Sequence, residues 1–291
     1  MDSEQIIPPE EEQLIHTRRT RCSNINRFLW KWVRPGLSHP VLGQNLLVDA
    51  LSCDESGKDI LELEEALKDG ASACADFNRI FEGRLPQDSH AADTKILGAL
   101  AEVEACKWLM AKDFGELRKL NTQDQQTVDF TGQKNSLTFG IEVMCLGVPI
   151  SVRKKVEPYG RDSINVPGTE ETVSVSMFAS NEMHSSDMSD EARIEETIRS
   201  TILEKLPQLK SFKRTQNVRR MLFISTGRGF IQTGEPIRQD AHTLHLTYGR
   251  VLPRAWAALL EDVRRELDGV VLLNAREEWV APGEFEKQLA A

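Results

Sequence analysis

The stretch LTFGIEVMCL, residues 137–146, constrains the fold of this chain more than any other. Its odd positions, Leu137, Phe139, Ile141, Val143 and Cys145, are all apolar. Side chains alternate along a strand, so this is the pattern of a β-strand with one continuous buried face. Glu142 and Met144 share the opposite face. Taken alone, Glu142 reads as a surface glutamate on a half-exposed strand.

The elements around this strand set the fold class. Residues 93–112, DTKILGALAEVEACKWLMAK, have helical periodicity. Strands are expected near 114–120 and 126–131, with a hairpin turn around TGQKN leading into 137–146. Residues 147–190 are rich in Pro, Gly, Ser and charge, and read as an insertion holding one strand, TVSVSMFA at 172–179. Ile194, Ile198, Ile202, Leu206 and Leu209 mark a helix over 190–214, with Asp190 as its cap and Pro207 bending or ending it. RRMLFIST (219–226) and GVVLLN (269–274) read as strands flanking a helix over 254–267. The alternation predicts a mixed α/β sheet with helices packed on it.

The first 90 residues differ. A short helix is expected at 24–35 and a longer one at 58–83, the latter with a break at Gly70. Residues 1–90 therefore form a helical N-terminal region, and 91–291 the α/β domain. The chain of 291 residues has room for both.

Composition narrows the function. No apolar run is long enough for a membrane span, and the acidic start MDSEQIIPPEEEQ lacks the pattern of a secretory signal. An intracellular protein is expected, cytoplasmic, or nuclear in a eukaryote. Five cysteines without a CxxC pair argue against a zinc site or disulfide framework. The net charge of −9 is unlike that of a non-specific DNA binder, although basic clusters occur at 18–21, 153–155 and 210–220. His242 and His245 lack the surroundings of a HExxH zinc site, STGRG (225–229) lacks the length and lysine of a P-loop, and no GxSxG is present.

Three acidic residues remain. Asp129 in TVDF precedes the expected turn, and Glu142 lies in the next strand. In a hairpin the two carboxylates converge, a donor pair suited to Mg²⁺. Glu102 on the preceding helix supplies a third oxygen, although helical periodicity alone selects Glu104, which falls among Ile96, Leu97, Leu100 and Trp108.

Here the chain resembles the PD-(D/E)XK nuclease superfamily. AEVEACKWLMAKDF (101–114) is similar to its first helix, VDF (128–130) to its PD step with Val128 for proline, and IEVM (141–144) to its E-x-K step. The resemblance covers residues 93–146 directly. It implies a restriction-endonuclease-like mixed sheet flanked by helices. It also implies hydrolysis of nucleic-acid phosphodiesters, DNA first among them, with Mg²⁺ or Mn²⁺ held by Asp129, Glu142 and Glu102. Restriction, repair and defence are the expected settings, and a homodimer is a natural form for cutting two strands. The departure is Met144, which stands where the family has a lysine; a thioether carries neither proton nor charge. Lys154 and Lys155 are the substitutes expected from the sequence, with Lys107 ranked below them. The alternative is an inactive nuclease fold that binds nucleic acid or a protein partner, the partner docking on the N-terminal helical region.

Overall fold

The computed structural model describes residues 20–32, 57–86, 89–120, 127–146, 161–165, 172–176, 188–225, 250–273 and 279–282, with isolated positions before residue 20. The elements are α1 (Ser23–Phe28), α2 (Gly57–Ala73), α3 (Ser89–Ala111), β1 (Gly115–Lys119), β2 (Phe130–Lys134), β3 (Leu137–Cys145), β4 (Arg161–Asn165) and β5 (Thr172–Ser176). After them come α4 (Met188–Ser211), β6 (Val218–Ser225), helix α5 over 250–258, α6 (Glu261–Arg265), β7 (Gly269–Leu273) and β8 (Trp279–Ala281). Strands β4 and β5 form a separate two-stranded sheet.

The main sheet has six strands in the order β1-β2-β3-β6-β7-β8. The β1-β2-β3 meander is antiparallel, β6 and β7 run parallel to β3, and β8 closes the far edge antiparallel. A parallel neighbour needs a crossover, and α4 lies between β3 and β6 in the chain.

Both faces of the sheet are covered. Phe139, Ile141, Val143, Met221, Phe223 and Val271 join one apolar cluster with α3 and the N-terminal helices. Met144, Leu222, Ile224, Val270 and Leu272 join a second with α4 and α5. The strands are thus apolar on both sides, as expected for a sheet between two helical layers. Residues within 22–32 and 60–85 share the first cluster with α3 and the sheet, so these segments are built into the core. It covers the outer side of α3, which explains why α3 is apolar almost all round.

Several local expectations shift. The helix expected to break at Gly70 runs through it and ends at Ala73; a Cβ at Gly70 would fall 2.3 Å from the Phe77 ring, so glycine there serves close packing. The chain turns instead at Asp76, whose φ is 60°. α4 continues past Pro207 to Ser211, and Asp190 lies inside its first turn rather than capping it. The hairpin turn falls at Asn135 and Ser136, both left-handed, with φ of 52° and 61°. This is the backbone of a two-residue hairpin loop. TGQK belongs to β2, so Asp129 precedes that strand instead of ending one. His242, His245, Arg228, Lys154 and Lys155 lie outside the described residues. Among the described residues, no helix is long and apolar enough to cross a membrane.

Gly140 at the centre of β3 lets Phe212 lie against the sheet, since an added Cβ would meet its ring at 2.2 Å. Gly140→Ala is expected to cost ~1–3 kcal/mol through overpacking. Phe212→Leu should absorb part of that cost in the double mutant. Urea unfolding of the four proteins checks this, and an unchanged midpoint for Gly140→Ala would contradict the packing argument.

Candidate functional site

The tight Asn135–Ser136 turn pairs Lys134 with Leu137 and Phe130 with Ile141. Continuing that register by one residue sets Asp129 across from the Glu142–Val143 step. There Asp129 leaves the ladder and its side chain takes over, Oδ2 accepting the Val143 N–H at 2.9 Å. Its backbone carbonyl accepts the Leu120 N–H at 2.9 Å, which fastens it to the end of β1.

Lys119, the last residue of β1, is the hub. It shares the inward side of that strand with Leu117 and is itself only 4% exposed. Its Nζ lies 2.7 Å from Glu102 Oε2 and 2.8 Å from Asp129 Oδ1, and 5.0 Å from the centre of the Phe130 ring. Burial alone would lower the ammonium's pKa. The charges of Asp129 and Glu102 outweigh it and hold the pKa above the ordinary lysine value.

Glu142 is 1% exposed and faces α4. Lys205 of α4 reaches its Oε1 at 2.7 Å, while Oε2 is buried without a hydrogen-bond partner. Burial pushes the Glu142 carboxyl up to about 8, with Asp129's charge adding to the rise and Lys205 opposing it. Glu102 is pushed up to about 7 for the same reasons, burial first and Asp129 second, against Lys119. Glu102 and Glu142 thus each feel the charge of Asp129 in a buried setting.

Glu104 behaves differently. Two residues on a helix are about 200° apart, and Glu104 points away from this cluster to the Ser225 hydroxyl at the end of β6. Burial pushes its carboxyl to about 7. Lys107 pairs with Glu62 of α2 and is remote from Asp129 in the bonding pattern. Met144 is 2% exposed in the apolar cluster against α4, so the motif-lysine position is part of the core.

The site's amines, Lys119 and Lys205, were not among the sequence expectations. A signal for each existed. Lys119 alternates with Leu117 on a strand. Lys205 is seven residues from Ile198 and three from Ile202, so it falls on the apolar stripe of its helix.

The basic segment 210–220 is largely committed to structure. Arg220 binds Glu266, the Phe212 carbonyl and the Lys210 carbonyl; Arg214 and Arg219 face Asp268; Lys210 faces Glu266. These contacts tie the end of α4 and the start of β6 to the turn before β7.

Three carboxylates face two ammonium groups, so one negative charge is left over when all five are ionised. Glu142 Oε2 has no hydrogen-bond partner, whereas both Asp129 oxygens are already engaged, by Lys119 and by the Val143 N–H. Glu102 is committed to Lys119, and among the described residues no group of three or more His, Cys, Asp or Glu side chains is placed to hold a metal. No protein-family model, curated protein or solved structure matches the chain.

The raised carboxyl values carry a pH signature. Between about pH 5 and 8 the folded chain keeps protons on Glu102 and Glu142 that the unfolded chain has released. Stability therefore falls as pH rises through that window. In metal-free buffer, Glu142→Gln keeps a hydrogen-bond acceptor for Lys205 and removes the charge. Its melting temperature should exceed wild type at pH 8.5 by about 2–4 °C, the equivalent of ~1 kcal/mol, and match it near pH 5. A gap of the same size at both pH values would contradict the assigned burial cost.

Proposed function

We propose that this protein is a restriction-endonuclease-like phosphodiesterase that hydrolyses nucleic acid, DNA in the first instance, with Mg²⁺ or Mn²⁺ held by Asp129 and Glu142. The carrying observation is the cluster itself: a glutamate from the first core helix and an aspartate at the mouth of β2 share the buried Lys119, and a glutamate inside β3 pairs with the half-buried Lys205. The order α3-β1-β2-β3-α4-β6 supports the reading, because the acids fall on its helix, immediately before its second strand and in its third.

The residues divide the work. Asp129 is oriented by the Val143 N–H, leaving its carboxylate fixed at the edge of the sheet. Glu142 keeps one oxygen, Oε2, without a hydrogen-bond partner. When bound, a divalent ion supplies Lewis acidity toward a phosphoryl oxygen. Lys205, with a quarter of its side chain exposed, takes the role that Met144 cannot fill: donating to a water or to the phosphate as charge develops. Lys119 is sealed between Glu102 and Asp129 and acts as a positioning residue.

One observation favours a second reading. Each carboxylate already has a lysine or backbone partner, and a cluster of that kind is also compatible with a fold that binds nucleic acid or protein without cutting. Metal binding separates the two, since an ion that binds only the folded form raises its melting temperature.

The test is cleavage of labelled duplex and single-stranded DNA and RNA in Mg²⁺ and Mn²⁺. Asp129→Ala and Glu142→Ala should each lose at least ~10²-fold in rate, and Lys205→Ala about 10²–10³-fold. Both metals should raise the wild-type melting temperature and leave Asp129→Ala and Glu142→Ala unmoved. Cleavage indifferent to both acid substitutions would end the phosphodiesterase reading. A folded protein with neither cleavage nor metal stabilisation would leave the binding scaffold.

A further inference from the structure

The α4 side of the sheet is covered unevenly. Helix α4 lies over β3, with Lys205 on Glu142 and, just past the helix end, Phe212 on Gly140. Opposed residues of neighbouring strands share a face. Thr131, opposite Gly140, and Arg118, opposite Thr131, are therefore on this same side, as is Gln133 opposite Thr138. Yet Arg118 and Gln133 are exposed, and Thr131 and Thr138 only half-buried. Among the described residues no helix closes over β1 and β2 here.

The uncovered strip is a groove. A cavity of about 550 Å³ lies along it, lined by Arg118, Thr131, Gln133 and Thr138 among others. Its wall is the half-buried side of α4, where Thr201, Lys205 and Gln208 recur at helical spacing and lead to Phe212. Its inner end is the acid–lysine site, because Glu142 stands two residues beyond Gly140 on the same face of β3.

The charges along the groove are ordered. Arg118 has no side-chain hydrogen bond or ion pair among the described residues. Glu116 also lines the cavity, but it accepts a hydrogen bond from Gln133 Nε2 at 2.6 Å, and the register sets it toward the far end of β1, away from Asp129. The free cation is thus the charge nearer the site. From strand spacing and rise, the Arg118 and Glu142 Cα atoms are ~12 Å apart. A guanidinium there is placed to meet a backbone phosphate adjoining one held at Glu142.

We propose that this groove binds a single-stranded polynucleotide, with Arg118 on a backbone phosphate and Phe212 under a base, and delivers it to the acid–lysine site. The strip from the α4 wall to the edge of β1 is two strand spacings, ~10 Å wide, which admits one chain. A cation beside an aromatic ring is the pairing that single-strand sites use. The net charge of −9 repels a polyanion at a distance, so affinity depends on these local contacts. Delivery for cleavage rests on the phosphodiesterase reading; binding in the groove does not.

The experiment follows fluorescence anisotropy of short fluorescein-labelled single-stranded DNA and RNA, and of a duplex of the same sequence, titrated with the full-length protein in EDTA. Single strands should bind at least ~10-fold more tightly than duplex. Arg118→Glu should weaken single-strand binding at least ~10-fold and lower the salt slope by about 1. Phe212→Leu should weaken it about 5-fold. Arg84→Ala, an exposed arginine outside the groove, should change nothing. Duplex bound as tightly as single strand, or single-strand binding indifferent to both groove substitutions, overturns the groove. In Mg²⁺-dependent cleavage, Arg118→Ala should raise KM about 10-fold and leave kcat near wild type, whereas Asp129→Ala loses kcat. Cleavage with KM unchanged in Arg118→Ala overturns the groove and leaves the phosphodiesterase reading standing. Arg118-dependent single-strand binding by a protein that never cleaves supports the groove and ends the phosphodiesterase reading.

Discussion

The arrangement of this molecule depends on one buried ammonium group. Lys119 Nζ touches a carboxylate from α3 and another from the loop before β2, and its own backbone closes the edge of β1 onto residue 75. Three successive elements are referred to a single charge. Removing two such charges from water costs several kcal/mol each, and their attraction repays this only when the remaining donors and acceptors are also satisfied. For Asp129 they are: one oxygen takes Lys119 and the other the Val143 N–H. Glu142 is the contrast. Its second oxygen is buried and unmatched, and the unpaired charge of the cluster is felt there.

This asymmetry follows from the sheet. A strand between two helical layers has no solvent face, so the side of β3 that carries Glu142 and Met144 is as dry as the side that carries Ile141 and Val143. Met144 meets that demand with a thioether packed against α4. Glu142 meets it by drawing Lys205 down from the same helix. An amine is thereby supplied to the strand from across the layer, without one being encoded two residues further along it.

Much of this architecture was legible in the chain. The nine-residue β3, the buried runs of β6 and β7 and the periodicity of α3 and α4 all appear close to their expected places, because each carries a long pattern of one period. What was not legible has local physical causes. The turn after β2 uses Asn135 and Ser136 in left-handed geometry, without the Asn-Gly signature that marks such turns most clearly, and this displaced Asp129 from strand end to strand start. Gly70 looked like a helix breaker because sequence does not show the Phe77 ring resting on it. Periodicity selected Glu104 and the motif match Glu102, and α3 is buried on nearly every side, so both are drawn into the core. Only the positions of Lys119 and Ser225, each distant in sequence, set the two glutamates apart. The lysines were hidden for the same reason: an amine on an apolar stripe has meaning only once its acid is in place.

The cluster is costly for a purely structural element. Replacing a buried ion pair with well-packed apolar residues is often neutral or stabilising, and the neighbours here, Phe130, Val143, Met144 and Leu206, would make such a replacement easy to pack. Yet the site concentrates three acids around two amines, leaves one oxygen without a donor, and drives two carboxyl groups up to about 7 and 8. Each of these features works against stability at neutral pH. Perturbed carboxyl groups gathered in one place of an otherwise apolar core are enriched at functional sites, although structural ion-pair networks produce them too.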